Sequence, residues 1–169
     1  IMVADCLPLL FVHQRLPVVA AAHAGWRGLA GAGTKRGADG AGVITQTINA
    51  IAATTGQSLS DAARELTVWL GPAIGPGAFE VGEDVRAAFL TRTPGDDDAF
   101  VPRSTPGKYL ADLPLIARRK LRALGVTTIC GNDSSALWCT VSQADRYFSH
   151  RRDQNFGGSG RLAALIWLK

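Results

Sequence analysis

Two short apolar runs open the chain, Leu7–Val12 and Val18–Ala24, with His13-Gln14-Arg15-Leu16-Pro17 between them. Runs of this length, bounded by polar and proline residues, predict an antiparallel hairpin buried on both faces. A Gly/Ala-rich stretch, Gly31–Gly42, reads as a flexible loop. Val43, Ile44, Thr47, Ile48 and Ile51 recur at helical spacing, and Gly56 supplies the stop. Leu66–Leu70 predicts a strand, Glu83–Arg92 a helix and Pro94–Ala99 a solvated loop. Leu110–Leu124 predicts a helix with Pro114 in its first turn and Gly125 as its stop. Val126–Cys130 is expected as a strand, Ser142–His150 as a short helix and Arg161–Leu168 as a last apolar strand. Strands and helices mix without regular βαβ alternation, which predicts an α+β fold with layered sheets in a single domain.

Composition narrows the class. The 169 residues are 47% hydrophobic and 19% charged, a globular balance that excludes a disordered chain. No apolar run approaches the ~18 residues of a transmembrane helix, so no membrane partner is expected. Three cysteines make no disulfide framework, which points to a reducing, cytoplasmic compartment. A net charge of +4 favours anionic ligands, but no basic and aromatic stripe argues for nucleic acid. The chain opens on Ile1-Met2-Val3, already inside an apolar segment, and is expected to lack an upstream portion.

Cys6 and His23 form the most informative pair. If the hairpin closes with Val12 opposite Pro17, then Cys6 stands opposite His23, with Cβ atoms ~5 Å apart. That placement suits a shared metal or a thiolate–imidazole hydrogen bond, and a slip of one residue would break it. A buried cysteine beside a satisfied core histidine is the plain alternative. Asp5, a charge in an apolar run, and Arg27, a cation just beyond His23, tilt the balance toward chemistry. A catalytic zinc needs three protein ligands, and the hairpin offers two. His13 lies ~23 Å along the strand on the opposite face and cannot be the third. His150 could reach only through tertiary folding, so the third ligand is expected upstream of this chain.

Other candidates are weaker. Gly71-Pro72-Ala73-Ile74-Gly75-Pro76-Gly77 is a stiff turn that can line a pocket, but it lacks a Walker-type ending. Arg151 and Arg152 suit phosphate or carboxylate recognition, or form a solvated pair. Arg118-Arg119-Lys120 reads as a wet helix face, and Cys130 as core.

Ala4-Asp5-Cys6-Leu7-Pro8, Ala22-His23-Ala24-Gly25-Trp26-Arg27-Gly28, Gly71–Pro76, Phe79-Glu80-Val81-Gly82 and Phe148-Ser149-His150-Arg151-Arg152-Asp153 follow one another in order. So do the closing Gly160-Arg161 and Ile166-Trp167-Leu168. Together they resemble the YfiH-like, laccase-domain family across nearly the whole chain. The resemblance implies a layered α/β/β/α fold and a His-Cys-His metal site, usually zinc, with copper in older descriptions. Two of its ligands carry over to Cys6 and His23, and the first histidine has no equivalent here. Phe79 stands where the family often has tyrosine. The implied activity is phosphorolysis of adenosine, inosine or methylthioadenosine, with adenosine deamination alongside, so nucleoside and phosphate are the expected small-molecule partners. Arg27, Arg151 and Arg152 are the cations expected to seat anions. Older family labels are polyphenol oxidase and peptidoglycan editing factor. Three histidines make a multicopper array implausible. A Cys-dependent hydrolase of peptidoglycan precursors, with Cys6 as nucleophile and His23 as base, is the alternative enzyme. A partner-binding module with a decayed site is the non-enzymatic one.

Overall fold

A computed structural model describes residues 1–32, 41–91 and 95–169. The main sheet has four strands in the order β3-β2-β4-β8: β2 is Leu7–His13, β3 Val19–Ala24, β4 Leu66–Leu70 and β8 Thr128–Gly131. β2 runs antiparallel to β3 and β4, while β8 joins β4 in parallel. Period-two alternation sends Leu7, Leu9 and Phe11 of β2 and Leu66, Val68 and Leu70 of β4 to one face, all fully buried. Their partners in the core are Ile44, Ile48 and Ile51 of α2 (Val43–Thr55), Ala62 and Ala63 of α3 (Leu59–Arg64), and Ile116, Ala117 and Leu121 of α5 (Leu113–Ala123). On the opposite face Leu10 and Trp69 are half-buried, and Val12 is exposed.

A three-stranded antiparallel sheet, β5-β7-β6, is built from Glu80–Gly82, Lys108–Ala111 and Phe100–Pro102. Helix α4 (Glu83–Leu90) packs on it through Val85 and Phe89. The last pairing joins β1 (Met2–Val3) to β9 (Leu162–Ala163). The fold is α+β, as the mixture of patterns implied.

Several boundaries differ from expectation, each for a local reason. The hairpin pairs Val12 with Val19, not Pro17. Pro17 has no N–H to give a ladder, and the turn is instead closed by His13 N–H on Val18 O and Val18 N–H on Leu16 O. Leu110 and Ala111 belong to β7 because β5 and β6 pair on either side of them. Helix α5 therefore starts at Leu113, where the Asp112 side chain accepts from Leu115 N–H. Ser142–His150 is not a helix: the short α6 covers His150–Asp153, with Ser149 as its cap. Of Arg161–Leu168 only Leu162 and Ala163 pair in a sheet. Most of the Gly31–Gly42 loop lies outside the described residues, as do Arg92 and Pro94.

Three surface assignments also change. Cys130 is exposed rather than core, because β8 is the edge strand and residue 130 points away from the helices. Arg118 is no wet-face residue: its guanidinium donates to the carbonyls of Asn132, Gly131 and Ile129, tying α5 to β8. Asp96 is buried, with Arg119 reaching both it and Asp98, so the acidic turn is not simply solvated.

Candidate active site

Site geometry starts with the hairpin register. Pro8, not Cys6, stands opposite His23. Cys6 lies two residues before Pro8, so it keeps the same face and meets His23 diagonally. A shift of two preserves sidedness where a shift of one would not. Gly25 completes the approach. A Cβ at that position would lie 3.0 Å from Cys6 Sγ and 3.9 Å from His23 Nε2, so both side chains converge on the space that this glycine leaves free. Gly25 is also the cap residue of α1 (Trp26–Ala30), which carries Trp26 and Arg27 away from the strand end.

Asp5 explains how Cys6 is aimed. It is one of the non-glycine residues with a left-handed backbone, at φ 78°, a conformation that aspartate tolerates better than most. Its carboxylate is 8% exposed and accepts twice at 2.6 Å, from the Thr140 hydroxyl and from Arg151 N–H at the start of α6. Its carbonyl accepts from Ile74 N–H at 2.9 Å. Asp5 thus ties three segments to the β1–β2 link beside Cys6: the Thr140 segment and α6 through its carboxylate, and the Gly71–Gly77 turn through its carbonyl.

Two adjoining cavities open at Cys6 and share Ala4, Cys6 and His150. One, of about 190 Å³, is walled by Trp26 and Phe79 and reached by Asp5 and Arg151. The other, of about 380 Å³, is lined by His23 and Arg161. Burial and the neighbouring Asp5 charge push the Cys6 thiol above its ordinary range, with Arg161 opposing them. Burial and the Arg161 charge hold His23 below the usual imidazole value.

Of the residues singled out beforehand, Cys6, His23, Phe79, Arg151 and His150 meet here. Arg27 reaches the site only indirectly, its guanidinium stacked 4.2 Å over the Trp26 ring. Arg152 is committed elsewhere. It donates to the carbonyls of Thr140, Val141 and Tyr147 and pairs with Asp153, so it braces α6 instead of binding an anion. His13 closes its own turn: Nδ1 accepts from Arg15 and Leu16 N–H, and Nε2 meets Gln57 Oε1 at 2.9 Å. Trp26 and Arg161 were not foreseen as site residues. The available signal for both was membership of the recurring segments, with no local chemistry to mark them.

As metal donors, a thiolate and an imidazole are the types that suit zinc. Among the described residues no group of three or more His, Cys, Asp or Glu side chains is assembled to hold a metal ion. The pair fits such an ion in kind and supplies two of the donors that it needs.

The model of the multi-copper polyphenol oxidoreductase laccase family matches residues 1–169, the whole chain. The chain belongs to that family. A purine nucleoside phosphorylase of Pseudomonas aeruginosa is 45% identical over 169 residues, covering 100% of this chain and 60% of the relative. Purine nucleoside phosphorylase YfiH of Escherichia coli is 42% identical over 168 residues, covering 99% of this chain and 58% of its own length. This laccase-family chain therefore spans little more than half the length of the curated relatives it matches. Among solved structures, a Neisseria meningitidis protein superposes with a TM-score of 0.79 at 44% identity, covering 99% of this chain and 59% of that one. YlmD of Geobacillus stearothermophilus gives 0.73 at 28%, covering 94% and 53%.

Proposed function

We propose that the protein is a purine nucleoside phosphorylase acting on inosine, adenosine or methylthioadenosine. The observation that carries this is the two-part cleft joined at Cys6, with aromatic walls on one side and a guanidinium on the other. Aromatic faces suit a purine, and cations suit phosphate. The names borne by the relatives support the same activity. In the reaction a phosphate oxygen bonds to C1′ of the ribose while the C1′–N9 bond breaks. Its electron pair leaves with the base, and the proton of hydrogenphosphate ends on that base. Cys6 and His23 would contribute two donors to a zinc ion, which when bound can polarise a substrate group or activate water. The remaining donor would come from His150 or from chain outside these residues. Water activation of that kind is what adenosine deamination at the same site would require.

The Cys-nucleophile alternative would have His23 take the proton of Cys6. Burial pushes the Cys6 thiol up and holds His23 down, which disfavours a resting thiolate–imidazolium pair and leaves only base-assisted attack to that reading. For the oxidase label, His13 stands at the far end of β2 in its own hydrogen-bonded turn. No helix among the described residues is long and apolar enough to cross a membrane.

The test is release of free base from inosine and adenosine by the full-length protein, with and without inorganic phosphate. Phosphate-dependent release of hypoxanthine or adenine is expected. Release that ignores phosphate, or none at all, refutes the proposal. Loss of activity on chelation, restored by zinc, separates the metal-dependent reading from the Cys-nucleophile one.

A further inference from the structure

We infer that Arg161 seats the phosphate, in the lobe that it shares with His23, and that the lobe between Trp26 and Phe79 takes the purine base. The inference rests on the phosphorylase reading for its choice of ligands, and on the following geometry for their placement.

The first ground is which guanidiniums are free. Four arginines lie in or beside the site. Arg27 stacks on Trp26, Arg152 is caged by three carbonyls and Asp153, and Arg151 donates both terminal nitrogens to Glu80 O while lying 5.7 Å over the Phe79 ring. Arg161 makes no hydrogen bond or ion pair among the described residues. It lines one cavity together with Cys6 and His23. An uncommitted cation in the cavity of the candidate metal donors is what an incoming phosphate requires.

The second ground is how Arg161 is held. Met2 pairs with Ala163 and Val3 with Leu162, so continuing the register sets Arg161 beside Ala4, next but one to Cys6. Gly160 packs its backbone on Phe148, where a Cβ would come within 2.7 Å of the ring. The backbone carrying the guanidinium is therefore pinned on both sides.

The third ground is the difference between the lobes. The Trp26–Phe79 lobe is lined by Asp5 as well as Arg151, and the Arg151 guanidinium is held on Glu80 O and the Phe79 ring, so its charge is already engaged there. The Arg161 lobe is lined by no carboxylate among the described residues and has the His23 imidazole beside the guanidinium. Cys6 and His150, common to both lobes, mark where the ribose carbon must lie for base and phosphate to be on opposite sides of it.

The experiment uses the full-length protein, with inorganic phosphate as the probe. Binding is followed by calorimetry, and phosphorolysis by steady-state kinetics against each substrate. Arg161→Ala is expected to weaken phosphate binding and raise the phosphate KM by about 10- to 100-fold, the loss expected of a charge-assisted hydrogen bond. The nucleoside KM should change little. Arg161→Lys should recover part of the loss, since a point charge replaces a fork. Phe79→Ala should do the reverse, raising the nucleoside KM and sparing that of phosphate. An Arg161→Ala protein with wild-type phosphate affinity, or with only the nucleoside KM raised, overturns the inference, as does a wild-type protein that binds no phosphate. Phosphate held through Arg161 by a protein that releases no base would sink the phosphorylase reading and leave the anion seat standing.

Discussion

Replacing Gly25 with alanine is the sharpest probe of the Cys6–His23 convergence. The backbone at Gly25 is ordinary extended chain, φ −71° and ψ 165°, so alanine meets no conformational strain. What it meets is Cys6 Sγ at 3.0 Å, with His23 Nε2 at 3.9 Å. Relaxed contacts between heavy atoms lie at roughly 3.5–4.0 Å, so the sulfur must retreat by about half an ångström or more. A half-buried side chain can do so by rotating or by a small backbone shift, costing about 1–3 kcal/mol as overpacking does elsewhere. The effect on chemistry should be larger, because misplacing a reacting group by 1 Å costs about 100-fold. Gly28→Ala is the control. It sits in the same helix, and its Cβ would meet only ordinary contacts, at 3.6 Å from His23 O and Val43. It should gain about 0.5–1 kcal/mol from lost backbone freedom in the unfolded chain and keep activity. The assay pairs urea denaturation with zinc affinity by chelator competition and inosine phosphorolysis, all on the full-length protein. A Gly25→Ala protein with unchanged zinc affinity and turnover would refute the convergence of the two side chains on that space.

Other perturbations follow from the same contacts. Asp5→Ala leaves the buried Thr140 hydroxyl and Arg151 N–H without their acceptor, at about 1–3 kcal/mol each, and puts alanine at φ 78° for about 1 kcal/mol more; Asp5→Asn should cost about half as much in urea denaturation, and equal stability of all three proteins would refute the clamp. Hydrogen bonds from Arg119 hold the Asp98 carboxyl below its usual value, and those from Arg152 do the same for Asp153. A depressed folded-state pKa stabilises fully above the ordinary carboxylate range near ~3.9 and is lost as pH falls through the folded value. Urea midpoints should therefore hold steady at neutral pH and fall in acid, less steeply for Asp98→Asn with Asp153→Asn; an unchanged acid slope in that double variant contradicts the assignment. Cys130 should be the first thiol alkylated in the native protein, with Cys139 the slowest, as read by mass spectrometry of iodoacetamide adducts; labelling of Cys139 ahead of Cys130 would contradict the placement of β8 at the sheet edge.

What could be read from the chain alone divides along the range of the interactions. Helix α2 was visible because its apolar period and its Gly56 stop are both local, and β4 because a five-residue apolar run has few other fates. The start of α5 is equally local, since Asp112 caps it and Pro114 sits in its first turn, yet the helical pattern also takes in Leu110 and Ala111, the end of β7 (Lys108–Ala111). Only pairing with Glu80–Gly82 and Phe100–Pro102, some ten to thirty residues off in sequence, makes it a strand. The candidate site follows the same rule. Cys6 and His23 were matched because alternation fixes which face a side chain takes, and that property survives an error of two in register. The register itself differs by two, and Pro17, unable to donate to a ladder, argues against the pairing with Val12 that the run lengths suggest. Arg161 had no such local mark. Its place beside Cys6 depends on the first and last strands meeting, a closure attested by Ile1 N–H on Ala164 O across a sequence separation of 163. A residue delivered to a site by long-range closure carries no pattern of its own; what marks Arg161 is that the fold engages Arg27, Arg151 and Arg152 with other partners and leaves its guanidinium unengaged among the described residues.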